Sequence, residues 1–365
     1  MAIKARLELV SIRGFASDNY AGIHPQVLEA IAEVNHGHQT AYGDDEVTAE
    51  FQKLVKKLFG NNAVGFPVFN GTGANVVALQ AAIPRWGAGI AAATSHLNLD
   101  EGGAPEKMGG IKLWNVEIPK GDGKLTPELI EPELIDFGFV HRSQQAAVSI
   151  TNSSEYGTVY SLDEIKAITK QAKKHGLITH MDGARLSNAS EALGLPFKKF
   201  TTDAGIDLVS LGGTKIGGLA CEAVIVTNTS TTAGKRLAHD MDYLRKTSMQ
   251  LASKMRFISA QLIALYSGKK ALAIELATNA NSMAKKLDAG LRKLARGNKR
   301  LSLPVKTEAN AVFPVMDKKL AKTLQDKWHF YDWNQSIGQY RLMCAWDTTE
   351  QDIEKFLDDV RNALK

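Results

Sequence analysis

The chain has 365 residues, of which 44% are hydrophobic and 23% are charged, and its formal net charge at neutral pH is +5. This is the composition of a globular protein with room for one large and one smaller domain, and so mild a charge does not suggest a nucleic-acid partner. No apolar stretch is long enough to cross a membrane, the early charges at Lys4 and Arg6 do not fit a signal peptide, and the two cysteines Cys221 and Cys344 are too few for a disulfide framework, so we predict a cytoplasmic protein.

The first predicted elements are separated by a polar loop. Helices are predicted for Pro25–Val34 and Val47–Phe59. The loop between them contains His36 and His38, which could suggest a metal. Two histidines without a third ligand more often make hydrogen bonds within a loop, so no metal site is predicted.

A possible anion site follows the strand predicted for Val64–Phe69. The chain continues through Gly71, Thr72 and Gly73 into a helical run that begins at Val76. A strand, a tight glycine turn and a helix N-terminus together offer backbone N–H groups and the positive end of a helix dipole to a phosphate. The spacing is not that of a dinucleotide-binding fingerprint, and an ordinary strand-to-helix turn explains it equally well.

Six further short apolar runs alternate with helical segments as far as residue 230. Strands are predicted for Gly89–Thr94, Ile111–Val116, Ala146–Thr151, Gly176–Met181, Ile206–Leu211 and Ala223–Thr227. A capping box at Ser161 and Glu164 marks the start of one of the intervening helices. The alternation predicts an α/β fold with a mostly parallel seven-stranded sheet and helices on both faces.

Charged residues stand at the carboxyl ends of these strands, where open α/β sheets build their sites. His96 follows the second strand, Asp182 the fifth and Lys215 the sixth. A lysine that forms a Schiff base with an aldehyde and an acid that pairs with a pyridinium nitrogen suit a pyridoxal 5′-phosphate (PLP) enzyme. Taken singly, a surface lysine, a helix-capping aspartate and a capping histidine would be ordinary features.

The pattern changes after the seventh strand. Residues 233–295 are predicted as nearly all helical, and the basic stretch near their end reads as the solvated face of an amphipathic helix. Short strands are predicted for Val305–Thr307, Ala311–Val315 and Arg341–Ala345, followed by a helix over Thr349–Leu364. We therefore divide the chain into an N-terminal segment (1–25), a large PLP-binding α/β domain (26–255) and a small α+β C-terminal domain (256–365).

A set of motifs spread along almost the whole chain resembles those of the L-threonine aldolases. They are Ser17–Asn19, Tyr42–Asp45, Asn70–Asn75, His96, Asp182–Arg185, Gly212–Lys215, Met255–Arg256 and Tyr340–Met343. These aldolases belong to the β-eliminating lyase group of PLP enzymes with the aspartate aminotransferase-like fold. The loop before Tyr42 is most similar to that of the bacterial low-specificity branch.

The resemblance implies a role for each matching residue. Lys215 matches the Schiff-base lysine, Asp182 the partner of the pyridine nitrogen, and His96 the histidine that stacks on the ring and contributes to catalysis. The remaining matches are Gly71, Thr72 and Arg256 for the phosphate, Arg185 for the ring hydroxyl and substrate carboxylate, and Ser17 and Arg341 for the substrate carboxylate. Tyr42 and Arg256 are expected to act on the site of a neighbouring subunit, within a homo-oligomer that the family suggests is a dimer of dimers.

One position departs from the family pattern. Many members carry a second active-site histidine in the segment that matches residues 153–157, and here Glu155 occupies that place. A role given to that histidine must therefore pass to Glu155, to His96 or to water.

The implied activity is the retro-aldol cleavage of L-threonine or L-allo-threonine to glycine and acetaldehyde. Bulkier β-hydroxy amino acids such as phenylserine remain plausible substrates, and β-elimination, transamination or racemisation would use the same lysine and aspartate. A non-catalytic PLP-binding protein is the alternative from another class.

Overall fold

The computed structural model describes residues 14–365 of the chain. Residues 1–13, which form the first part of the predicted N-terminal segment 1–25, lie outside the described residues.

A large sheet occupies the centre of the described structure. Its strands are β1 (Val64–Val68), β2 (Gly87–Ala92), β3 (Lys112–Val116), β4 (Gln144–Thr151), β5 (Ile178–Gly183), β6 (Leu208–Gly212) and β7 (Glu222–Val226). They are ordered β1-β7-β6-β5-β4-β2-β3, and β7 runs antiparallel to both of its neighbours while the other pairings are parallel. The predicted mostly parallel seven-stranded sheet is confirmed.

Helices within residues 25–266 cover both faces of this sheet. The described residues form fourteen α-helices. They are α1 (Pro25–Glu33), α2 (Glu46–Phe59), α3 (Gly71–Ala82), α4 (His96–Leu99), α5 (Ala104–Lys107), α6 (Pro127–Ile130), α7 (Leu162–Lys174), α8 (Leu186–Leu193), α9 (Phe197–Phe200), α10 (Thr232–Thr247), α11 (Arg256–Tyr266), α12 (Leu272–Ala295), α13 (Lys318–Gln325) and α14 (Glu350–Leu364). Successive residues of a strand pack into the hydrophobic cores on opposite faces of the sheet. In β7, for example, Ile225 packs on one face while Val224 and Val226 pack on the other.

The helical stretch predicted for 233–295 is interrupted twice. Between α10 and α11 the backbone reverses at Met249, which has a φ of 61°, and between α11 and α12 it turns at Gly268, which has a φ of 91°. Ile258 and Leu262 of α11 belong to a core of the large sheet. The division of the chain into domains at residue 255 stays a prediction.

A second, smaller sheet lies in the C-terminal part of the chain. Its strands are β8 (Leu301–Ser302), β9 (Ala311–Val312), β10 (Val315–Met316), β11 (Tyr331–Asn334) and β12 (Gln339–Met343). All of its pairings are antiparallel. This sheet, together with α12, α13 and α14, confirms the smaller α+β part of the predicted fold.

Two strand predictions in this part were wrong in detail. No strand forms over Val305–Thr307, where the carbonyl oxygen of Val305 accepts a hydrogen bond from the Arg292 side chain. The strand predicted for Ala311–Val315 is split at Pro314, whose nitrogen has no hydrogen to donate.

The strand that leads to Lys215 ends in two glycines at which the chain passes close to its neighbours. A Cβ atom on Gly212 would overlap the backbone of Ala184 at the end of β5, and one on Gly213 would overlap the carbonyl oxygen of Cys221. These are backbone contacts, so no side-chain rotation can relieve them. The two strand ends are thereby held close together.

We expect Gly212→Ala to lower the free energy of unfolding by about 1–3 kcal/mol, because the added methyl group overpacks a rigid contact. Urea denaturation of the full-length chain measures this effect. Gly22→Ala is the control, since a Cβ atom there has no described atom within 4 Å. Equal unfolding midpoints for Gly212→Ala and the unmodified protein would contradict the close approach.

Candidate active site

A polar cavity of about 400 Å³ opens at the carboxyl ends of the central strands. Most of the residues predicted from the sequence line it, namely Ser17, Gly71, Thr72, His96, Asp182, Arg185, Lys215 and Arg341, together with Glu155. The volume is that of a small-molecule site. The chain therefore brings a lysine, carboxylates, an imidazole and two guanidinium groups into one cleft.

Asp182 ends β5 and is buried. Its Oδ1 accepts a hydrogen bond of 2.9 Å from the Ala184 amide, and its Oδ2 accepts one of 2.9 Å from Nδ2 of Asn75. Burial alone would raise the pKa of Asp182, but the charges of His96 and Lys215 and these two hydrogen bonds lower it. The carboxylate therefore stays ionised near neutral pH, as a partner for a protonated pyridine nitrogen must be.

Lys215 lies in a short 3₁₀ turn, Thr214–Ile216, just beyond β6. The buried carboxylate of Glu222 fixes the start of this turn, because it accepts hydrogen bonds of 2.9 Å and 3.2 Å from the amides of Gly213 and Thr214. Burial and the positive charge of Arg185 lower the pKa of the Lys215 amine. A lowered pKa increases the fraction of neutral, nucleophilic amine at a given pH.

Arg185 is held by a buried ion pair with Asp18. Its Nε and Nη2 donate to the two carboxylate oxygens over 2.7 Å and 3.0 Å. Asp18 also accepts a hydrogen bond of 3.2 Å from Nδ2 of Asn310. This fork geometry leaves Nη1 as the remaining end of the guanidinium group.

Arg341, on β12, reaches the cavity from the smaller sheet. Its Nη2 donates to the Ala16 carbonyl oxygen over 3.1 Å, and its guanidinium carbon lies 5.5 Å from the ring centre of Tyr331 and 4.8 Å from that of Trp333. Its buried Nε has no partner among the described residues. Burial and the nearby charge of Arg185 lower the pKa of Arg341 to about 10, so it remains positive at neutral pH and can receive an anion.

His96 lies at the start of α4, where two carboxylates contact it. Its Nδ1 lies 2.9 Å from Oε1 of Glu101, and its backbone amide donates to Oε1 of Glu155 over 2.8 Å. Burial and the charge of Asp182 raise the pKa of Glu155, whose other oxygen is buried without a described partner. Glu155 therefore lines the cavity with a greater tendency to hold a proton than an ordinary glutamate has, and its place as a substitute for the second histidine stays a prediction.

Gly71 and Thr72 occupy the first turn of α3. Asn70 caps this helix by accepting a hydrogen bond of 2.7 Å from the Gly73 amide, while the first amides of any helix lack partners within it. A Cβ atom on Gly71 would meet no described atom within 4 Å, so the space in front of this helix end is open. An anion such as a phosphate suits this position.

Two predicted site residues do not line this cavity. Tyr42 borders a cleft on the surface beside α10, and Arg256 borders another beside the loop that contains His38. Both were predicted to act on a neighbouring subunit, which a single chain does not test. Their roles stay predictions.

Sequence reasoning gave no role to several residues that shape the site. The side chains of Asp18, Asn75 and Glu101 lie within hydrogen-bond distance of those of Arg185, Asp182 and His96, respectively. All three stood within or beside the motifs, but nothing in their spacing indicated which partner each would meet. The aromatic residues Tyr331 and Trp333 were missed because the polar segment that contains them gave no strand signal.

The described residues contain neither a metal cluster nor a membrane span. Within 14–365, no group of three or more His, Cys, Asp or Glu residues is arranged to hold a metal ion. His36, one of the two loop histidines, places its Nδ1 2.7 Å from the carbonyl oxygen of Glu33. No helix in this range has the length and apolar character needed to cross a membrane.

The donor set of the cavity fits PLP. Lys215 offers an amine whose pKa is lowered by burial, Asp182 an ionised carboxylate, and the amino end of α3 an open anion position. His96 lines the same cavity with its side chain 34% exposed, so part of its imidazole is accessible to a bound group.

Known proteins resemble this chain over nearly its whole length. It is 40% identical over 352 residues to the low specificity L-threonine aldolase of Pseudomonas sp. strain NCIMB 10558, covering 96% of this chain and 97% of that protein. It is 38% identical over 349 residues to the protein of the same name from Pseudomonas aeruginosa, covering 95% and 96%. The solved structure of Leishmania major threonine aldolase is 28% identical, covers 96% of this chain and 99% of its own, and superimposes with a TM-score of 0.86.

These similarities confirm the resemblance and the aspartate aminotransferase-like fold predicted from the sequence. They also confirm the predicted cofactor, since the enzymes of this group depend on PLP. The family described as beta-eliminating lyase matches residues 14–319. The chain therefore belongs to the beta-eliminating lyase family and is a PLP-dependent lyase.

Proposed function

We propose that this protein is an aldolase that cleaves L-threonine and L-allo-threonine to glycine and acetaldehyde. The observation that carries the proposal is the single cavity that joins Lys215 and Asp182 to His96 and Arg341. The names of the Pseudomonas relatives support the same substrate class.

In this proposal Arg185 would lie near the ring hydroxyl of the cofactor, Arg256 of a neighbouring subunit would reach its phosphate, and five further residues would hold it. They are Lys215 at the aldehyde, Asp182 at the pyridine nitrogen, His96 at the ring face, and Gly71 and Thr72 at the phosphate. When bound, PLP supplies an electron sink for the bond that breaks at Cα of the substrate.

Arg341 and Ser17 would bind the substrate carboxylate. The Nε of Arg341 has no described partner, and its guanidinium group packs against Tyr331 and Trp333, which limits the directions it can take. Arg185 is already paired with Asp18, so we assign it a smaller part in binding the carboxylate, through Nη1. Fixing the carboxylate at two points orients the bond between Cα and Cβ before it breaks.

His96 would accept the proton of the β-hydroxyl group through Nε2. Loss of that proton forms the carbonyl group as the Cα–Cβ bond breaks, the aldehyde leaves, and a proton added to Cα completes glycine. Glu155 is the second candidate for proton transfer, because it lines the cavity and its pKa is raised by burial.

We further propose that the functional unit is a homo-oligomer, a dimer of dimers, in the cytoplasm. Tyr42 and Arg256 face clefts outside the cavity of their own chain, so a contribution to catalysis requires a second copy. No nucleic-acid or membrane partner is proposed.

Acetaldehyde release measures the proposed activity directly. The PLP-loaded protein is expected to release acetaldehyde from L-threonine and L-allo-threonine but not from D-threonine, as followed by NADH oxidation with an added alcohol dehydrogenase. L-phenylserine, assayed through benzaldehyde release, tests the bulkier substrate.

The failures of this assay are informative. Benzaldehyde without acetaldehyde would move the substrate to aryl β-hydroxy amino acids. Pyruvate or ammonia from a β-substituted amino acid, with no aldehyde from any substrate, would replace cleavage by β-elimination. A protein that binds PLP, turns over none of these and neither racemises nor transaminates an amino acid would be the non-catalytic alternative.

Arg341→Gln is expected to reduce kcat/KM for L-allo-threonine on the order of 10²-fold, because a buried charged partner of the substrate carboxylate is lost. Uptake of PLP, followed by its absorbance, should change little. Arg296→Gln removes an exposed arginine and serves as the control. Wild-type kinetics for Arg341→Gln would remove this residue from the carboxylate site.

Mixed oligomers test the assignment of Arg256 to the neighbouring site. Lys215→Ala and Arg256→Ala are each expected to lose turnover as homo-oligomers. If the two residues serve one site from different subunits, refolding or co-expressing both variants should restore up to about a quarter of wild-type activity under random pairing. Activity no higher than the mean of the two variants would place Arg256 outside the shared site.

A further inference from the structure

Glu101 is a buried carboxylate beside the proposed catalytic histidine, and the mechanism above gives it no role. Its side chain is 0% exposed, whereas the side chain of His96 is 34% exposed. Oε1 of Glu101 lies 2.9 Å from Nδ1 of His96 and accepts a hydrogen bond of 2.8 Å from Nδ2 of Asn75. A carboxylate is costly to bury, and here it faces an imidazole that lines the cavity.

The shared oxygen determines which nitrogen of His96 carries the proton. Burial raises the pKa of Glu101, and its hydrogen bonds with His96 and Asn75 oppose that shift by favouring the ionised form. The ionised carboxylate has no hydrogen to donate, so its Oε1 accepts from the imidazole as it does from Asn75. The hydrogen therefore resides on Nδ1 of His96, and in the neutral ring Nε2 is left as the acceptor. Among the described residues, no hydrogen bond engages this Nε2.

Asn75 makes the arrangement rigid. The same Nδ2 that donates to Glu101 also donates to Oδ2 of Asp182 over 2.9 Å, so one amide holds two buried carboxylates. His96, Glu101, Asn75 and Asp182 are thereby connected by three consecutive hydrogen bonds. The imidazole and the carboxylate proposed to contact the cofactor are positioned as one unit.

We propose that Glu101 is a positioning residue for His96, which it holds with Nδ1 protonated while its negative charge makes Nε2 a stronger proton acceptor toward the cavity. The effect on catalysis rests on the proposed function, in which His96 receives the β-hydroxyl proton. The effect on the imidazole itself does not depend on any substrate.

The charges around His96 determine the sign of the effect. Burial lowers the pKa of His96, and so does Lys215, but the hydrogen bond to Glu101 and the charge of Asp182 raise it, and the net pKa is raised. Glu155 also contacts this residue, by accepting a hydrogen bond from its backbone amide. Replacing Glu101 by glutamine removes one negative charge while keeping an oxygen that accepts from Nδ1. The pKa of His96 should therefore fall.

Carbethoxylation of His96 in the cofactor-free, full-length protein tests this directly. Diethyl pyrocarbonate reacts with the neutral imidazole, so the modification rate at His96, followed by peptide mass spectrometry across pH, reports its pKa. In Glu101→Gln we expect the midpoint to fall by about one pH unit or more. In the loaded enzyme the acidic limb of the kcat/KM profile should move in the same direction, with a lower maximum.

Glu106→Gln is the matched control, because it removes an exposed carboxylate of α5 that does not bond to His96. Its midpoint should equal that of the unmodified protein. Glu101→Asp retains the charge but shortens the side chain, so it should shift the midpoint less and in the same direction. This variant replaces Glu101→Gln in the test if the glutamine variant does not fold.

An unchanged midpoint of His96 modification in folded Glu101→Gln or Glu101→Asp would overturn the proposal. Glu101 would then only stabilise the fold of its loop. If the midpoint shifts but the unmodified enzyme releases no aldehyde from any substrate, the proposed function fails while the action of Glu101 on His96 stands.

Discussion

The site depends on one constraint: the charged side chains buried at one edge of the sheet must neutralise one another. Arg185 and Asp18 form its centre, with two hydrogen bonds of 2.7 Å and 3.0 Å between side chains that are 12% and 3% exposed. Removing either partner would leave an unpaired buried charge, which is strongly destabilising. Asn310 extends the contact, since its amide donates both to Asp18 and to the Cys344 carbonyl oxygen beside β12. The ion pair thus connects the segment before α1, the end of β5 and the smaller sheet around one cavity.

The same buried charges shift the pKa values of the proposed catalytic groups in different ways. Burial and Arg185 favour the neutral amine of Lys215, whereas His96, Lys215 and two hydrogen bonds favour the ionised form of Asp182. An amine that is a nucleophile and a carboxylate that stays charged are both needed, and they occur within one cleft. Environments that move the pKa values of neighbouring groups in useful directions are typical of catalytic sites.

Most strands of the large sheet could be predicted from the sequence, because each of these is a short apolar run that ends in a polar or glycine-rich turn. Buried parallel strands have nearly continuous apolar sequences, because both of their faces are covered by other elements. The strands of the smaller sheet were harder to predict. Asp332 and Asn334 interrupt the apolar pattern of Tyr331–Asn334, and Pro314 divides one apolar run. The carbonyl oxygen of Val305 accepts a hydrogen bond from Arg292. Local periodicity cannot reveal a strand whose partners determine it.

The site shows the same limit. Lys215, Asp182 and His96 could be found because they follow strands whose carboxyl ends meet at one edge. Asp18 and Asn75 could not be assigned, because each acts through a partner brought near only by folding: Asp18 and Arg185 are 167 positions apart in the chain, and Asn75 and Asp182 are 107 apart. Glu101 is only five positions from His96, but the sequence does not show that the two side chains face each other. The proposed roles of Arg256 and Tyr42 cannot be assigned from a single chain, since any role at the cavity requires a second copy.

Chemical trapping of the cofactor tests the central claim most directly. Borohydride reduction of the PLP-loaded protein fixes the cofactor on the amine to which it is bonded, and peptide mass spectrometry then locates it. We expect the modification on the peptide that contains Lys215, at a level near one per chain. Modification spread over surface lysines, with Lys215 unmodified, would contradict the assignment of this lysine and of the cavity around it.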